Sequence, residues 1–259
     1  MADTRARINR RNFCTIASGA LASLALSSAC LRRRSHLPDD GRLKARPSAT
    51  NKPAGNISRG ELIKLGLYRE RDALLLVPKS ARDSPLPLLL FLHGATQSAD
   101  DMFWYLDTAP EETGVAILAP NSRETTWDAI TDGFGPDVET LDRALERIFE
   151  MVPIDTARMA IGGFSDGATY ALSLGLMNGD LFKRVAAFSP GFVIDGVTQG
   201  KPRFFISHGT RDRILPFEGS RSIVSELNAR GYEVTFRQFD GGHEIPAEVM
   251  REGLRWLLS

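Results

Sequence analysis

The chain has 259 residues, of which 42% are hydrophobic and 25% charged, and this length and composition allow one sizeable core. Its 32 Lys and Arg residues balance 32 Asp and Glu residues, so no basic excess draws the chain onto a phosphate backbone. These features predict one domain and argue against nucleic acid as a partner.

The first 30 residues have the layout of an export signal. A basic region ends in Arg10-Arg11, and residues 13–29 are apolar or small without any charge. The arginine pair resembles a twin-arginine signal for export in bacteria, and Ala29-Cys30 resembles a lipoprotein cleavage box that would leave Cys30 acylated. We therefore expect an exported protein that is periplasmic, extracellular or attached to the membrane through its N-terminus. Cleavage after Ala29 and an uncleaved membrane anchor are the alternatives.

Residues 31–60 separate this segment from the rest of the chain. They are rich in Pro, Ser, Arg, Lys and Gly without apolar periodicity, which predicts a flexible tether. Residues 61–259 form the predicted main domain. Cys14 and Cys30 both precede that domain, so no disulfide can join two parts of it.

Beyond residue 60, short apolar runs rich in Leu, Val, Ile and Phe alternate with helical patterns. This alternation is typical of the α/β class, with a mainly parallel sheet flanked by helices on both faces. Eight strands are predicted at residues 61–68, 73–77, 86–92, 115–119, 159–161, 185–188, 204–207 and 233–239, and helices at residues 138–151, 168–177, 220–229 and 247–258. Ligands of such sheets bind beyond the carboxyl ends of the strands, so the residues that follow each strand are the candidate site residues.

A serine on a glycine-rich turn follows the predicted strand 159–161. The stretch Gly163-Phe164-Ser165-Asp166-Gly167 fits the G-x-S-x-G pattern, and a helical pattern begins at Ala168. A sharp strand-to-helix turn needs small residues on both sides, and the helix N-terminus favours developing negative charge. Ser165 is therefore predicted to be a nucleophile, and a tight glycine turn with an inert serine is the alternative.

Four histidines are candidates for the base: His36, His93, His208 and His243. His36 lies in the predicted tether. His93 ends a buried strand and is predicted to shape the oxyanion loop, whereas His208 is interpreted as a structural histidine. His243 follows two glycines on a loop after the last strand, from which an imidazole can swing toward the serine. We therefore predict that His243 is the base.

The imidazole needs a carboxylate that fixes its tautomer and stabilises the imidazolium. Asp212 follows the penultimate strand, four residues beyond His208, and is the predicted acid. Asp195 and Asp240 compete for this role. Asp195 lies at some distance after its strand, and Asp240 is near enough to His243 in sequence to cap a turn instead.

Together these residues resemble the α/β-hydrolase superfamily, and most closely its phospholipase/carboxylesterase branch. The resemblance rests on four ordered motifs, Leu92-His93-Gly94, the serine motif, His208-Gly209-Thr210-Arg211-Asp212 and Gly242-His243, and covers the chain from Leu86 to its last residue. It implies Ser165 as nucleophile, His243 as base, Asp212 as acid, and an oxyanion hole formed by the N–H groups of Ala95 and Asp166. Neither a metal nor a cofactor is implied. Residues 93–99 are also similar to the corresponding loop of polyhydroxyalkanoate depolymerases and feruloyl esterases.

The expected activity is hydrolysis of a small or oligomeric carboxylic ester through an acyl-enzyme intermediate. Gly94, Trp104 and Trp127 are the predicted substrate contacts, and core packing is the alternative for the two tryptophans. No long insertion that would form a large lid is visible, which favours small or accessible acyl groups. Two other functions stay open, an amidase or peptidase of the same fold and a catalytically silent binding module. The oligomeric state also stays open.

Overall fold

The computed structural model describes residues 40–47, 57–81 and 85–259. The predicted export signal and residues 31–39 and 48–56 of the predicted tether lie outside these ranges, so export and attachment to a membrane stay predictions. Within the described ranges, none of the helices is both long and apolar enough to cross a bilayer.

Eight strands form one sheet in the described part of the chain. They are β1 (Leu62–Lys64), β2 (Leu74–Leu76), β3 (Leu86–Leu92), β4 (Ala116–Ala119), β5 (Ile154–Phe164), β6 (Arg184–Phe188), β7 (Arg203–Gly209) and β8 (Val234–Phe239). Their order across the sheet is β1-β2-β4-β3-β5-β6-β7-β8. Both β1 and β4 pair antiparallel with β2, and the other neighbours run parallel. The prediction of a mainly parallel eight-stranded sheet is confirmed.

The described residues also form seven helices: α1 (Ala99–Leu106), α2 (Ala109–Thr113), α3 (Asp128–Thr131), α4 (Pro136–Met151), α5 (Asp166–Met177), α6 (Phe217–Ala229) and α7 (Ala247–Trp256). The four predicted helices are α4 to α7, and their ends differ from the prediction by at most three residues. The first three helices are not predicted. They have only 8, 5 and 4 residues, which is too short for a helical hydrophobic period to be visible in the sequence.

Strand β3 shows why the sheet is buried on both faces. All seven of its residues are buried, and only one of them, a proline, is not Leu or Phe. Leu88 and Leu90 belong to the larger core cluster, whereas Leu89 and Phe91 belong to the second cluster. Because successive side chains of a strand point to opposite faces, an unbroken apolar run is what a strand covered on both faces requires.

Part of the predicted tether packs against the domain. Leu43 is 2% exposed, and its backbone N–H donates to the side chain of Asn178 at 2.9 Å. The guanidinium of Arg42 forms an ion pair with Asp180 at 2.8 Å. Residues 40–47 are therefore part of the folded domain, which differs from the flexible tether predicted for 31–60. A single leucine between charged residues has no periodicity, so its burial was not visible in the sequence.

Candidate active site

Ser165 lies on a sharp turn between β5 and α5. Its backbone angles, φ 56° and ψ −120°, belong to a region that residues other than glycine rarely adopt. The turn needs glycine on both sides, because a Cβ on Gly163 would lie 2.4 Å from Gly167, and one on Gly167 would lie 2.3 Å from the backbone oxygen of Leu92. The backbone N–H of Ser165 donates to the oxygen of Phe188 at 3.0 Å. This geometry presents the hydroxyl at the carboxyl edge of the sheet.

His243 lies on the loop between β8 and α7, and its imidazole joins two side chains. Its Nε2 lies 2.9 Å from Ser165 Oγ, and its Nδ1 lies 2.6 Å from Asp212 Oδ2. Because a carboxylate only accepts hydrogen bonds, Nδ1 carries the proton and Nε2 accepts from the serine hydroxyl. The ring also packs on Phe164, with the ring centroids 4.8 Å apart. Three side chains from separate strand ends therefore form one hydrogen-bonded chain.

The side chain of Asp212 is fully buried and accepts hydrogen bonds on both oxygens. Its Oδ1 accepts from the backbone N–H groups of Ile214 at 2.8 Å and Leu215 at 3.0 Å. Burial by itself would raise the pKa of Asp212, but the hydrogen bonds from His243 and from these two N–H groups outweigh it and leave the pKa below its ordinary value. Asp212 is therefore ionised at neutral pH and able to stabilise an imidazolium.

The two competing carboxylates lie away from this chain of hydrogen bonds. Asp240 is exposed and forms an ion pair with Arg211 at 3.1 Å. Asp195 is exposed on the segment after β6. Of the candidate acids, Asp212 is the one that the structure brings to the imidazole of His243.

The loop between β3 and α1 lies directly beside the serine. A Cβ added to Gly94 would lie 3.2 Å from the Cβ of Ser165, so this position has no room for a side chain unless a neighbour moves. Ala95 follows on the exposed part of the loop. Asp166 is the first residue of α5, so its backbone N–H has no acceptor within the helix. The residues of the predicted oxyanion hole therefore lie on elements that flank the nucleophile.

His93 and Trp127 support the backbone of this loop. Nε2 of the buried His93 accepts the backbone N–H of Ser122 at 3.0 Å, so Nδ1 carries the proton and donates to the oxygen of Gly94 at 2.8 Å. Burial lowers the pKa of His93 to about 4, which keeps the ring neutral at neutral pH. The indole N–H of Trp127 donates to the backbone oxygen of His93 at 2.8 Å.

The two predicted tryptophan contacts lie in different surroundings. Trp127 has no exposed surface, and its ring stacks on Tyr170 with the centroids 5.3 Å apart. The structure therefore favours the packing alternative for Trp127 over direct contact with substrate. Trp104 is 80% exposed on α1, so its ring is available to a ligand or a partner.

A hydrogen-bonded pair that the sequence pattern does not single out completes the loop. The side-chain oxygen of Gln97 accepts the N–H of Gly94 at 2.9 Å, and its amide donates to the hydroxyl of Tyr105 at 3.1 Å. Tyr105 in turn packs on Phe164, the residue before the serine, with the centroids 5.0 Å apart. Gln97 lies within residues 93–99, the loop that carries part of the resemblance, but its hydrogen bonds to Gly94 and Tyr105 do not follow from that pattern.

The segment after β4 contacts both sides of the predicted oxyanion hole. The backbone oxygen of Thr125 accepts the N–H of Thr96 at 2.7 Å, and the hydroxyl of Thr126 donates to Asp166 Oδ2 at 2.6 Å. Residues from the segment 123–137, with Thr126 among them, also line a cavity of about 610 Å³. Since Thr126 belongs to this lining, the cavity adjoins the turn that carries the serine.

The chemistry available here is that of a serine hydrolase. The imidazole of His243 can take the proton of Ser165 while the carboxylate of Asp212 offsets the positive charge, and nearby backbone N–H groups can stabilise negative charge on a substrate oxygen. Among the residues that the structure describes, no group of three or more His, Cys, Asp and Glu side chains is arranged to bind a metal ion.

Solved structures of bacterial hydrolases share this fold. The fluorophosphonate-binding serine hydrolase F of Staphylococcus aureus matches 78% of this chain and 100% of its own, with a TM-score of 0.63 and 16% identity. The S-formylglutathione hydrolase of the same organism matches 73% of this chain and 92% of its own, with a TM-score of 0.61 and 15% identity. The Bacillus cereus carboxylesterase matches 71% of this chain and 92% of its own, with a TM-score of 0.55 and 19% identity. At these identities the likeness shows the fold, which is the α/β-hydrolase fold.

The phospholipase/carboxylesterase family matches residues 128–257, half of the chain, and this segment includes Ser165, Asp212 and His243. The chain belongs to this family. It is therefore an enzyme of the serine hydrolase class that acts on carboxylic esters. Gly94 and Ala95 precede the matched segment. Among curated proteins, no sequence matches the chain significantly.

Proposed function

We propose that Ser165, His243 and Asp212 are the catalytic triad of this enzyme, which hydrolyses a carboxylic ester through an acyl-enzyme intermediate. The observation that carries the proposal is the continuous chain from Ser165 Oγ through the imidazole to Asp212 Oδ2, with distances of 2.9 and 2.6 Å. Nucleophilic catalysis requires a base within hydrogen-bond reach of the nucleophile and a third group that orients the base.

In the acylation step, Ser165 Oγ attacks the carbonyl carbon of the ester while Nε2 of His243 takes its proton. The carbonyl oxygen becomes negatively charged in the tetrahedral intermediate, and the N–H groups of Ala95 and Asp166 stabilise it. Asp212 stabilises the imidazolium that forms. His243 then donates its proton to the leaving alcohol oxygen, the bond between carbonyl carbon and alcohol oxygen breaks, and the acyl group stays on Ser165.

Deacylation repeats these steps with water as the nucleophile. His243 takes a proton from water as the water oxygen attacks the acyl carbon, and the same N–H groups stabilise the second oxyanion. When the intermediate collapses, the imidazolium returns its proton to Ser165 Oγ and the carboxylic acid leaves. The enzyme regains its starting protonation state, because the proton on Nδ1 stays with the imidazole throughout.

The test removes the hydroxyl of Ser165 and leaves the turn between β5 and α5 unchanged. Ser165→Ala is expected to lower kcat for a short-chain aryl ester by at least about 10³-fold, with an unchanged Tm, because the residual rate then depends on binding and the oxyanion hole alone. Ser225→Ala, which removes an exposed hydroxyl of α6, is the matched control and should leave turnover unchanged. Undiminished turnover in Ser165→Ala would discard the triad.

The same experiment separates the two alternatives. Faster turnover of the matched aryl amide than of the aryl ester would support an amidase or peptidase. A folded wild-type protein that neither hydrolyses the ester nor reacts with a fluorophosphonate would support a catalytically silent binding module. Labelling of the wild-type protein but not of Ser165→Ala would support the proposal.

A further inference from the structure

A second histidine contacts the carboxylate of the proposed triad. His208 is the residue before the end of β7, and its side chain and that of Asp212 are both fully buried. Its Nδ1 lies 2.7 Å from Ser220 Oγ, and its Nε2 lies 3.0 Å from the backbone oxygen of Leu215. The same Nε2 is 3.1 Å from Asp212 Oδ2, the oxygen that receives the N–H of His243.

These contacts determine where the ring of His208 carries its proton. The backbone oxygen of Leu215 can only accept, so Nε2 carries the hydrogen and Nδ1 accepts from the hydroxyl of Ser220. Burial lowers the pKa of His208, so the ring is neutral at neutral pH. His208 therefore presents a neutral N–H to the loop that carries Asp212. Because the ring is neutral, it adds no second positive charge beside His243.

The contacts of His208 also hold this loop in place. Asp212 Oδ1 accepts the backbone N–H groups of Ile214 and Leu215, and the oxygen of Leu215 accepts the Nε2–H of His208. Among the other charged groups near this stretch, Arg211 and Asp240 are exposed and pair with each other at 3.1 Å, and Arg213 and Glu244 are exposed as well. Within the described residues, His208 and His243 are thus the two ionisable side chains in contact with the Asp212 carboxylate.

We propose that His208 is a positioning residue of the triad, whose neutral Nε2–H orients Asp212 and offsets part of the negative charge on Oδ2. This inference rests on the proposed function. Without this N–H, the charge on Oδ2 is stabilised by His243 alone, so the carboxylate attracts the imidazolium more strongly and has more freedom to rotate. Proton transfer from the serine is then less well aligned, and protonation of the imidazole persists to higher pH.

The test compares two substitutions of the same residue. His208→Leu removes the N–H, and His208→Gln places an amide N–H donor near the position of Nε2. In His208→Leu we expect kcat to fall by about tenfold with KM unchanged, because the hydrogen bond to the Leu215 oxygen that holds the Asp212 loop and the N–H dipole beside Oδ2 are both lost. We also expect the acid limb of the kcat/KM profile to move up by about half a pH unit. His208→Gln should restore both values most of the way.

The control changes the packing of His208 and leaves its hydrogen bonds intact. Phe217 contacts the ring edge-on, with the centroids 6.0 Å apart, so Phe217→Leu should lower Tm without moving the acid limb. A folded His208→Leu with an unmoved acid limb would overturn the proposal. So would His208→Gln if its kcat and acid limb matched those of His208→Leu.

A measurement on the wild-type protein covers the case in which His208→Leu does not fold. Long-range ¹H–¹⁵N spectra should show His208 as the neutral Nε2–H tautomer from about pH 7 to about pH 8, above the ordinary pKa of a histidine. An Nδ1–H tautomer or an imidazolium in that range would contradict the inference. These spectra need no turnover, so failure of the inference is distinguishable from failure of the triad, which the Ser165→Ala experiment tests.

Discussion

The acid–base side and the oxyanion side of the site are built from different chemical groups. Asp212 and His243 form the acid–base side through side-chain atoms 2.6 Å apart. The oxyanion side consists of the backbone N–H groups proposed for Ala95 and Asp166, whose positions depend on neighbours such as Gln97. A backbone group cannot be removed by replacing its own side chain. One side of the site therefore depends on residue identity, and the other depends on the shape of the surrounding chain.

The largest expected effect is on the acid–base side. Asp212→Asn presents an amide to the imidazole, so Nδ1–H of His243 loses its charged acceptor and the tautomer that can accept from Ser165 is no longer favoured. We expect kcat for an aryl ester to fall by roughly 10³- to 10⁴-fold, with the fold retained by circular dichroism.

The matched control is Asp240→Asn. Asp240 is an exposed carboxylate at the same edge of the sheet, and it forms an ion pair with Arg211. It should leave kcat unchanged. A fall of less than about tenfold in a folded Asp212→Asn protein would mean that the acid–base side does not depend on this carboxylate.

A smaller effect is expected on the oxyanion side, with the three proposed triad side chains intact. In Gly94→Ala the new Cβ would lie 2.7 Å from Gln97 Oε1 and 3.2 Å from the Cβ of Ser165. The Gln97 side chain must move, which breaks its hydrogen bond to the N–H of Gly94 and leaves the loop that carries the N–H of Ala95 less firmly held. We expect kcat to fall by about 10²-fold, the loss of one oxyanion donor, while fluorophosphonate labelling of Ser165 continues at a reduced rate.

Gly191→Ala is the control for adding a methyl group at the same edge of the sheet. The Cβ added at Gly191 would lie 3.5 Å from its nearest neighbour, a side-chain carbon of Leu215, which is an ordinary van der Waals distance. If Gly94→Ala and Gly191→Ala have equal kcat values, the loop between β3 and α1 does not limit the reaction, and the contrast between the two sides is wrong.

The smallest effect concerns the stability of the segment that supports the oxyanion side. Asp137 accepts the backbone N–H groups of Arg123 and Asp128, and burial raises its pKa to about 6 from 3.8. A carboxyl group that binds its proton more tightly when folded stabilises the protein at low pH, and this contribution is lost as pH rises through 6. Between pH 7 and pH 5, the free energy of unfolding of the wild-type protein should rise by about 1 kcal/mol relative to Asp137→Asn.

Urea unfolding of both proteins at the two pH values measures this difference. Asp132→Asn, at an exposed position of the same cavity lining, should follow the wild-type protein at both pH values. Parallel curves for the wild-type protein and Asp137→Asn would show that Asp137 does not take up a proton in this range.

Much of the sheet and of the proposed triad could be predicted because their signals are local. The unbroken apolar run of β3 and the glycines around Ser165 each reflect a constraint that acts within a few residues. Since parallel strands end at one edge, the order of Ser165, Asp212 and His243 along the chain was enough to expect them together.

The supports of the site could not be predicted in the same way. Tyr105 lies on a helix of eight residues, and its link to Gly94 passes through Gln97. Trp127 was a predicted substrate contact, yet its indole is buried and donates to the backbone of His93. Each of these contacts joins residues that no local pattern relates.

By itself, the sequence determined the fold class, the turn that carries Ser165 and the strand ends that carry Asp212 and His243. Those features follow from hydrophobic periodicity and from backbone conformations that only certain residues adopt. Only the tertiary structure decided that Leu43 packs on the domain and that His208 shares the Asp212 carboxylate with His243. Hydrogen bonds and burial depend on distances across the folded chain, and residue order along the chain does not contain those distances.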